Sequence, residues 1–160
     1  MVTINTEDLI AGCRNQDMVH VQVIGQIKNK LLIERVSELL LENIIPTKIK
    51  RTVDVTINVL TICDQQAGGY CWGDETTIEI EIARMSNNHR YSREKILTNL
   101  THELIHAKQF ITGELTPTMN MWKLQAVDRT KIPHIQHPWE YEAYGWENRL
   151  YEHYFKKLNV

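Results

Sequence analysis

Several large classes of protein are excluded by what this sequence lacks. Its 160 residues contain no apolar run long enough to cross a membrane, and a net charge of −2 gives no general attraction to nucleic acid. The three cysteines include no CxxC pair, which argues against a disulfide framework and against a zinc ribbon. With only seven glycines and four prolines, the chain shows no linker or low-complexity tract. We therefore expect one domain over residues 1–160.

The N-terminus also lacks a targeting signal. Residues 1–8, MVTINTED, do not have the basic and then apolar layout of a secretory signal. We therefore expect a cytoplasmic protein, in which Cys13, Cys63 and Cys71 are reduced. A Cys63–Cys71 bridge across the turn at residues 68–69 would need an oxidising compartment.

Hydrophobic periodicity predicts an α+β domain. In residues 76–83, Ile78, Ile80 and Ile82 alternate with two glutamates, which predicts a strand with one core face and one solvent face. The remaining elements are predicted from periodicity, caps and breakers: a helix over 27–43, strands over 51–62 and 70–72, a helix over 92–111 with Ser92 as N-cap, and a helix from Pro138 toward 157.

Residues 102–106 spell HELIH, an HExxH motif within the predicted helix 92–111. Histidines four residues apart lie one turn apart on one helix face, so His102 and His106 can both reach one metal ion. Glu103 flanks that face and can contact a water without binding the metal itself. The apolar core stripe of this helix lies on the opposite side. The motif predicts a zinc site with Glu103 as general base; the alternative is a solvated helix face without a ligand.

A hydrolytic zinc site needs a third protein ligand and leaves its fourth position to water. Gln109 and Thr112 stand where the metzincin class requires Gly and His, which excludes that class. In the last predicted helix, Glu140 shares a face with the small Ala143, whereas Glu142 lies about 200° away. Glu140 is therefore favoured as the third ligand. The alternatives left open are Glu142, His134, His137 and His153; His134 and His137 could instead hydrogen-bond a substrate carbonyl or an oxyanion.

Three runs in order resemble those of small zincin-type metallopeptidases of phages and bacteria, namely TIEIEI at 77–82, LTHELIH at 100–106 and PWEYEAY at 138–144. The order is gluzincin-like, and the resemblance covers about the C-terminal half. It implies one zincin-like metallopeptidase domain over 1–160, with a small mixed sheet packed on the HExxH helix. It further implies that the C-terminal helix supplies Glu140 as third ligand. The strand 76–83 would be the substrate-binding edge strand, to which an extended peptide adds.

The resemblance also draws attention to Tyr144. Many members of that family have Asp or Asn four residues after the glutamate ligand, where it supports a ligand histidine, but this chain has Tyr144. Tyr144 is therefore a candidate catalytic donor to the oxyanion, with Tyr141 and Tyr151 as weaker candidates. A further hypothesis is that Glu79 and Glu81 make the cleft acidic, so that it favours basic substrates.

These patterns together predict a zinc-dependent peptidase that acts on a peptide or protein substrate in the cytoplasm, which is the host cytoplasm if the chain is phage-encoded. Nickel could replace zinc, since imidazole also binds nickel. Two alternatives are kept. One is a non-catalytic zinc-bearing structural or interaction module, since a metal site does not guarantee turnover. The other is a DNA-associated protease resembling the SprT group, which uses a third histidine and often a zinc ribbon.

Overall fold

The computed structural model describes residues 18–64 and 67–157. Within those residues it has α+β architecture, with one small mixed sheet and three helices, as the periodicity predicts. The elements are β1 (Val19–Gly25), α1 (Lys30–Ile44), β2 (Val53–Leu60), β3 (Gly69–Gly73), β4 (Thr77–Ala83), β5 (Met85–Ser86), β6 (His89–Arg90), α2 (Arg93–Ile111), β7 (Met121–Trp122), β8 (Gln125–Ala126), a 3-10 turn (His134–Gln136) and α3 (Pro138–Leu150), which continues as π-helix over Tyr151–Lys156. The N-terminal run 1–8 and Cys13 lie outside the described residues.

The four-stranded sheet has the order β1-β2-β4-β3. Strands β1, β2 and β4 are parallel, and β3 pairs antiparallel with β4. The sequence prediction missed β1, although Val19, Val21 and Val23 are buried and alternate with residues on the exposed side. Parallel β1 and β2 are connected by α1, as a parallel crossover requires.

The position of β4 corrects one expectation. Strand β4 lies between β2 and β3, so both of its backbone edges are already paired, and residues 76–83 are not an edge strand. The outer strand on this side is the short β3. It folds back on β4 through a tight turn, in which the Asp74 carboxylate accepts hydrogen bonds from the backbone amides of Thr76 and Thr77 at 2.7 and 2.9 Å.

One face of the sheet carries the helices. The three alternating isoleucines of β4 share one hydrophobic core with Leu97, Leu100 and Leu104 of α2. Burying each of these side chains contributes about 1.5–3 kcal/mol. Because strand residues alternate in direction, Glu79 and Glu81 lie on the opposite face, where Glu79 accepts a hydrogen bond from Asn58 at 3.1 Å.

The start of α2 is fixed by a local cap. The Ser92 hydroxyl accepts a hydrogen bond from the backbone amide of Lys95 at 3.1 Å, which confirms the predicted N-cap. Cys63 and Cys71 are free and buried, and burial, with smaller contributions from nearby carboxylates, raises the pKa of Cys63 to about 11. No helix of the described residues has the length and apolar character that a membrane span requires.

Candidate metal centre

Helices α2 and α3 pack against each other and carry the functional side chains. Ala143, which shares a face of α3 with Glu140, is fully buried. The Gln109 side chain of α2 donates a hydrogen bond to the backbone carbonyl of Trp139 at 3.0 Å and so ties the two helices together. Glu140, in the first turn of α3, is buried and faces the HExxH motif.

Three predicted ligands converge at this contact. The Nε2 atoms of His102 and His106 lie 3.1 Å apart. One carboxylate oxygen of Glu140 lies 3.2 Å from His102 Nε2, and the other lies 3.3 Å from His106 Nε2. The three residues form a group that could hold a metal ion.

The outer ring nitrogens show which tautomers the histidines adopt. His102 Nδ1 lies 2.7 Å from the Glu147 carboxylate, and His106 Nδ1 lies 2.7 Å from Oε1 of Gln109. The amide of Gln109 is oriented, because its Nε2 donates to Trp139 and to Glu142. Both acceptors require a hydrogen on Nδ1, so in the neutral rings both Nε2 atoms present lone pairs toward the centre.

This donor set fits a metal ion. In the neutral rings two lone-pair nitrogens and a carboxylate all point at one place, so a cation, either a proton or a metal ion, is needed between them. A tetrahedral ion with bonds of about 2.0–2.1 Å has ligand atoms about 3.3 Å apart, close to the separations seen between the three side chains. Hydrogen bonds from ligand histidines to Glu147 and Gln109 are of the kind that orient a metal's ligands.

Without a cation the same contacts shift the proton affinities. Burial lowers the pKa of His102, but hydrogen bonds to Glu140 and Glu147 outweigh it and raise that pKa to about 9. For Glu140, burial raises the pKa, but hydrogen bonds from His102 and His106 hold it well below its ordinary value. A metal ion would therefore displace protons from the imidazoles on binding.

Glu103 lies beside the three ligands and does not belong to their group. It is buried, and burial raises the pKa of its carboxyl group, although the neighbouring histidines oppose the change. The backbone of β3 passes directly over it. A Cβ atom on Gly69 would lie 2.9 Å from both Cγ and Oε1 of Glu103, so only glycine fits there. Strand β3 thus encloses the carboxylate from one side.

A cleft of about 620 Å³ opens onto the centre. Residues 67–71, which include the start of β3, form one part of its wall, and α2 and α3 contribute the His102, Glu103 and Glu140 side chains. Glu79 and Glu81 do not line this cleft, because they point to the other face of the sheet. The hypothesis that they make it acidic is therefore wrong.

The rival ligands occupy different places. The Glu142 carboxylate contacts Gln109 at 2.8 Å and Lys108 at 3.4 Å, and His153 is exposed beyond the end of α3, so neither belongs to the group of three. His134 is largely exposed, and its Nε2 atom lies 3.3 Å from Glu140. His137 lines the cleft and is only 6% exposed, yet both of its ring nitrogens have no hydrogen-bond partner among the described residues.

The three candidate tyrosines differ in exposure and in their contacts. The Tyr144 ring lies against the His102 ring, with centroids 4.7 Å apart, and its side chain lines the cleft. Tyr141 is 70% exposed, and Tyr151 is buried in the hydrophobic core. Of the three, Tyr144 is thus the one in contact with a proposed ligand.

Sequence reasoning missed Glu147 and Gln109. Glu147 follows Glu140 by seven residues, which is two helical turns and therefore the same face of α3. Gln109 follows His106 by three residues, about one turn. Both spacings were visible in the sequence. The resemblance indicated the position of Tyr144 for the residue that supports a ligand histidine. In the structure the carboxylate that contacts His102 belongs to Glu147, one turn further along α3.

Comparisons with protein-family models, with curated proteins and with solved structures gave no match. No residue role can therefore be transferred from an aligned relative.

Proposed function

We propose that the chain is a zinc-dependent hydrolase, specifically a peptidase of zincin-like type, with His102, His106 and Glu140 as ligands and Glu103 as general base. The observation that carries this proposal is the convergence of two Nε2 lone pairs and a buried carboxylate, with both Nδ1 atoms committed elsewhere. Two histidines and one glutamate are a donor set of known catalytic zinc sites. A third histidine, as the SprT group uses, is not part of the group.

The roles of the chain's own residues follow from their positions. A bound zinc ion would supply Lewis-acid chemistry, polarising a carbonyl group and making a water more acidic. Glu103 takes one proton from the water while the oxygen atom of that water bonds to the scissile carbonyl carbon. The same carboxyl group then gives that proton to the amine nitrogen as the C–N bond breaks. Its raised pKa suits a group that must both accept and return a proton.

Such a reaction also needs a donor to the oxyanion, and His137 is a candidate because it lines the cleft and both of its ring nitrogens lack a hydrogen-bond partner among the described residues. A buried polar group without a hydrogen-bond partner destabilises the fold, and the ring nitrogens of His137 are in this situation among the described residues. A bound ligand that supplies the partner would account for them. The ring is held between His134 and Trp139, with centroid distances of 5.3 and 4.7 Å. His137 occupies the N-cap position of α3 but its side chain makes no capping bond. Tyr144, half-exposed beside His102, remains the competing donor.

Three substitutions separate these donors. We expect His137→Phe to lower kcat by about 10²-fold or more, because one oxyanion donor contributes that much. His137→Asn, which keeps an N–H group, should recover part of the loss, and Tyr144→Phe should have the smaller effect. Steady-state kinetics on the zinc-loaded variants measures this. A normal kcat in His137→Phe, with a strongly reduced kcat in Tyr144→Phe, would assign the role to Tyr144 instead.

The peptidase proposal itself is tested by removing the metal. The zinc-loaded chain should cut a mixed peptide pool at discrete positions, detected by mass spectrometry as new peptide ends. Hydrolysis should stop after treatment with a chelator and return when about one equivalent of zinc is added. A chain that binds zinc but cleaves nothing would favour the non-catalytic zinc-bearing module.

A further inference from the structure

The cleft carries two cationic side chains, Lys95 and Arg129. Lys95 lies on the same stripe of α2 as Asn99, His102 and His106, with steps of four, three and four residues. Because it precedes His102 by seven residues, it lies about 10 Å further along the helix axis. Arg129 reaches the cleft from the segment that follows β8.

Neither cation is neutralised within the described part of the chain. The polar contact of the Arg129 guanidinium is a weak one, to the Met119 sulfur at 3.5 Å. The adjacent Asp128 is engaged by Thr130 at 2.6 Å and by Lys131 at 2.9 Å. No ion pair of the described residues includes Lys95 or Arg129.

The acidic residues that line the cleft either contact the motif histidines or are buried. Glu140 contacts the two motif histidines, and Glu147 contacts His102. Glu103 is buried beneath Gly69. The charge left free to meet a substrate is therefore positive, the reverse of the acidic cleft expected from Glu79 and Glu81.

We propose that this cleft selects peptides that carry a carboxylate a few residues from the scissile bond, bound by Arg129 and Lys95. This inference rests on the proposed function, because it names the substrate class of the same site. A guanidinium binds a carboxylate through two parallel hydrogen bonds, and an ammonium adds a point charge. An extended peptide advances about 3.4 Å per residue, so the separation of about 10 Å between Lys95 and His102 along α2 corresponds to roughly three residues of a bound peptide.

The carboxylate has two sources, an Asp or Glu side chain and the free C-terminus of a short peptide. Hexapeptides that contain one Glu or one isosteric Gln, each with a free or an amidated C-terminus, distinguish them. Binding is measured by calorimetry on the zinc-loaded Glu103→Gln variant, so that the peptides stay intact. We expect carboxylate-bearing peptides to bind about tenfold more tightly than their uncharged counterparts.

Substitutions assign the preference to its residues. Arg129→Gln and Lys95→Gln should each reduce the preference, and the double variant should abolish it. Lys156→Gln is the matched control, because Lys156 is exposed and pairs with Glu152 outside the cleft. This control should keep the full preference. If the cleft binds a Glu side chain, the preference is lost when Glu is replaced by Gln in the peptide. If it binds the free C-terminus, the preference is lost when the peptide is amidated.

Equal affinity for all four peptides would overturn the inference. Wild-type turnover of the same peptides separates this failure from failure of the proposed function. Cleavage of all peptides at equal kcat/KM leaves the peptidase intact and removes the selectivity. Selective binding without cleavage of any peptide removes the peptidase and leaves a carboxylate-binding cleft.

Discussion

Glu103→Gln is expected to lower kcat for peptide hydrolysis by about 10²–10⁴-fold while leaving the zinc content of the chain unchanged. Glutamine keeps the size and shape of the buried side chain but cannot accept the proton of the attacking water. The three ligands stay in place, since Glu103 lies outside their group. The two measurements are kcat on a fluorogenic peptide and the number of zinc ions bound per chain.

The matched control is Glu94→Gln, on the same helix but exposed in its first turn. It removes an equal charge and should leave kcat within about twofold of wild type, as exposed substitutions usually change stability little. A kcat equal to that of wild type in Glu103→Gln would contradict the assignment of Glu103 as the general base. Loss of zinc together with activity would instead assign Glu103 a role in holding the ion.

Glu140→Ala is expected to weaken zinc binding far more than Glu142→Ala, although the two glutamates are separated by a single residue. Glu140 is buried and contacts both motif histidines, so its removal would take away one of the three proposed ligands. Loss of an outer partner alone typically costs about 10–100-fold in metal affinity, and loss of a ligand should exceed that. Glu142 contacts Gln109, which in turn contacts His106, so its effect should be about tenfold or less.

Competition with a chromophoric chelator measures both zinc affinities on the same scale. Circular dichroism of each metal-free variant checks that the helices are retained. Similar losses in the two variants would show that Glu140 has no special role. A larger loss in Glu142→Ala would make Glu142 the third ligand and would require α3 to turn from its present orientation.

The parts of the fold with strong local signals could be predicted from the sequence. Helix α2 begins next to a capping serine and has a clear apolar stripe, and its observed bounds differ from the predicted ones by one residue. Strand β4 follows from alternation of isoleucine and glutamate. The start of α3 at Pro138 follows from the preference of proline for the first helical position.

The order of the strands could not be predicted, because it depends on contacts between residues far apart in the chain. Nothing local in β4 distinguishes a central strand from an edge strand, since both of its neighbours come from other segments. Strand β3 is only five residues long and contains a glycine at each end, so its periodicity is weak. Its role in covering Glu103 depends on that pairing.

The sequence predicted the three side chains that converge, His102, His106 and Glu140, but not the residues that contact them. The spacing within HExxH alone places two histidines on one face, and Ala143 favoured Glu140 over Glu142. The sequence prediction did not include Glu147, because the resemblance indicates the position of Tyr144, one turn earlier on α3, for the residue that supports a ligand histidine. That His137 has no hydrogen-bond partner in the described part of the chain has no sequence signal, because it depends on how the segment before α3 folds against the cleft.

The most direct test of the central claim is the number of zinc ions bound per chain, measured by titration of metal-free protein. We expect one ion for wild type, none for His102→Ala, and one for His153→Ala, an exposed histidine away from the group. Uptake in the first and third proteins only would establish the centre on which the proposed chemistry depends. No uptake by wild type would mean that the HExxH run is an ordinary helix face, and the hydrolase proposal would be withdrawn.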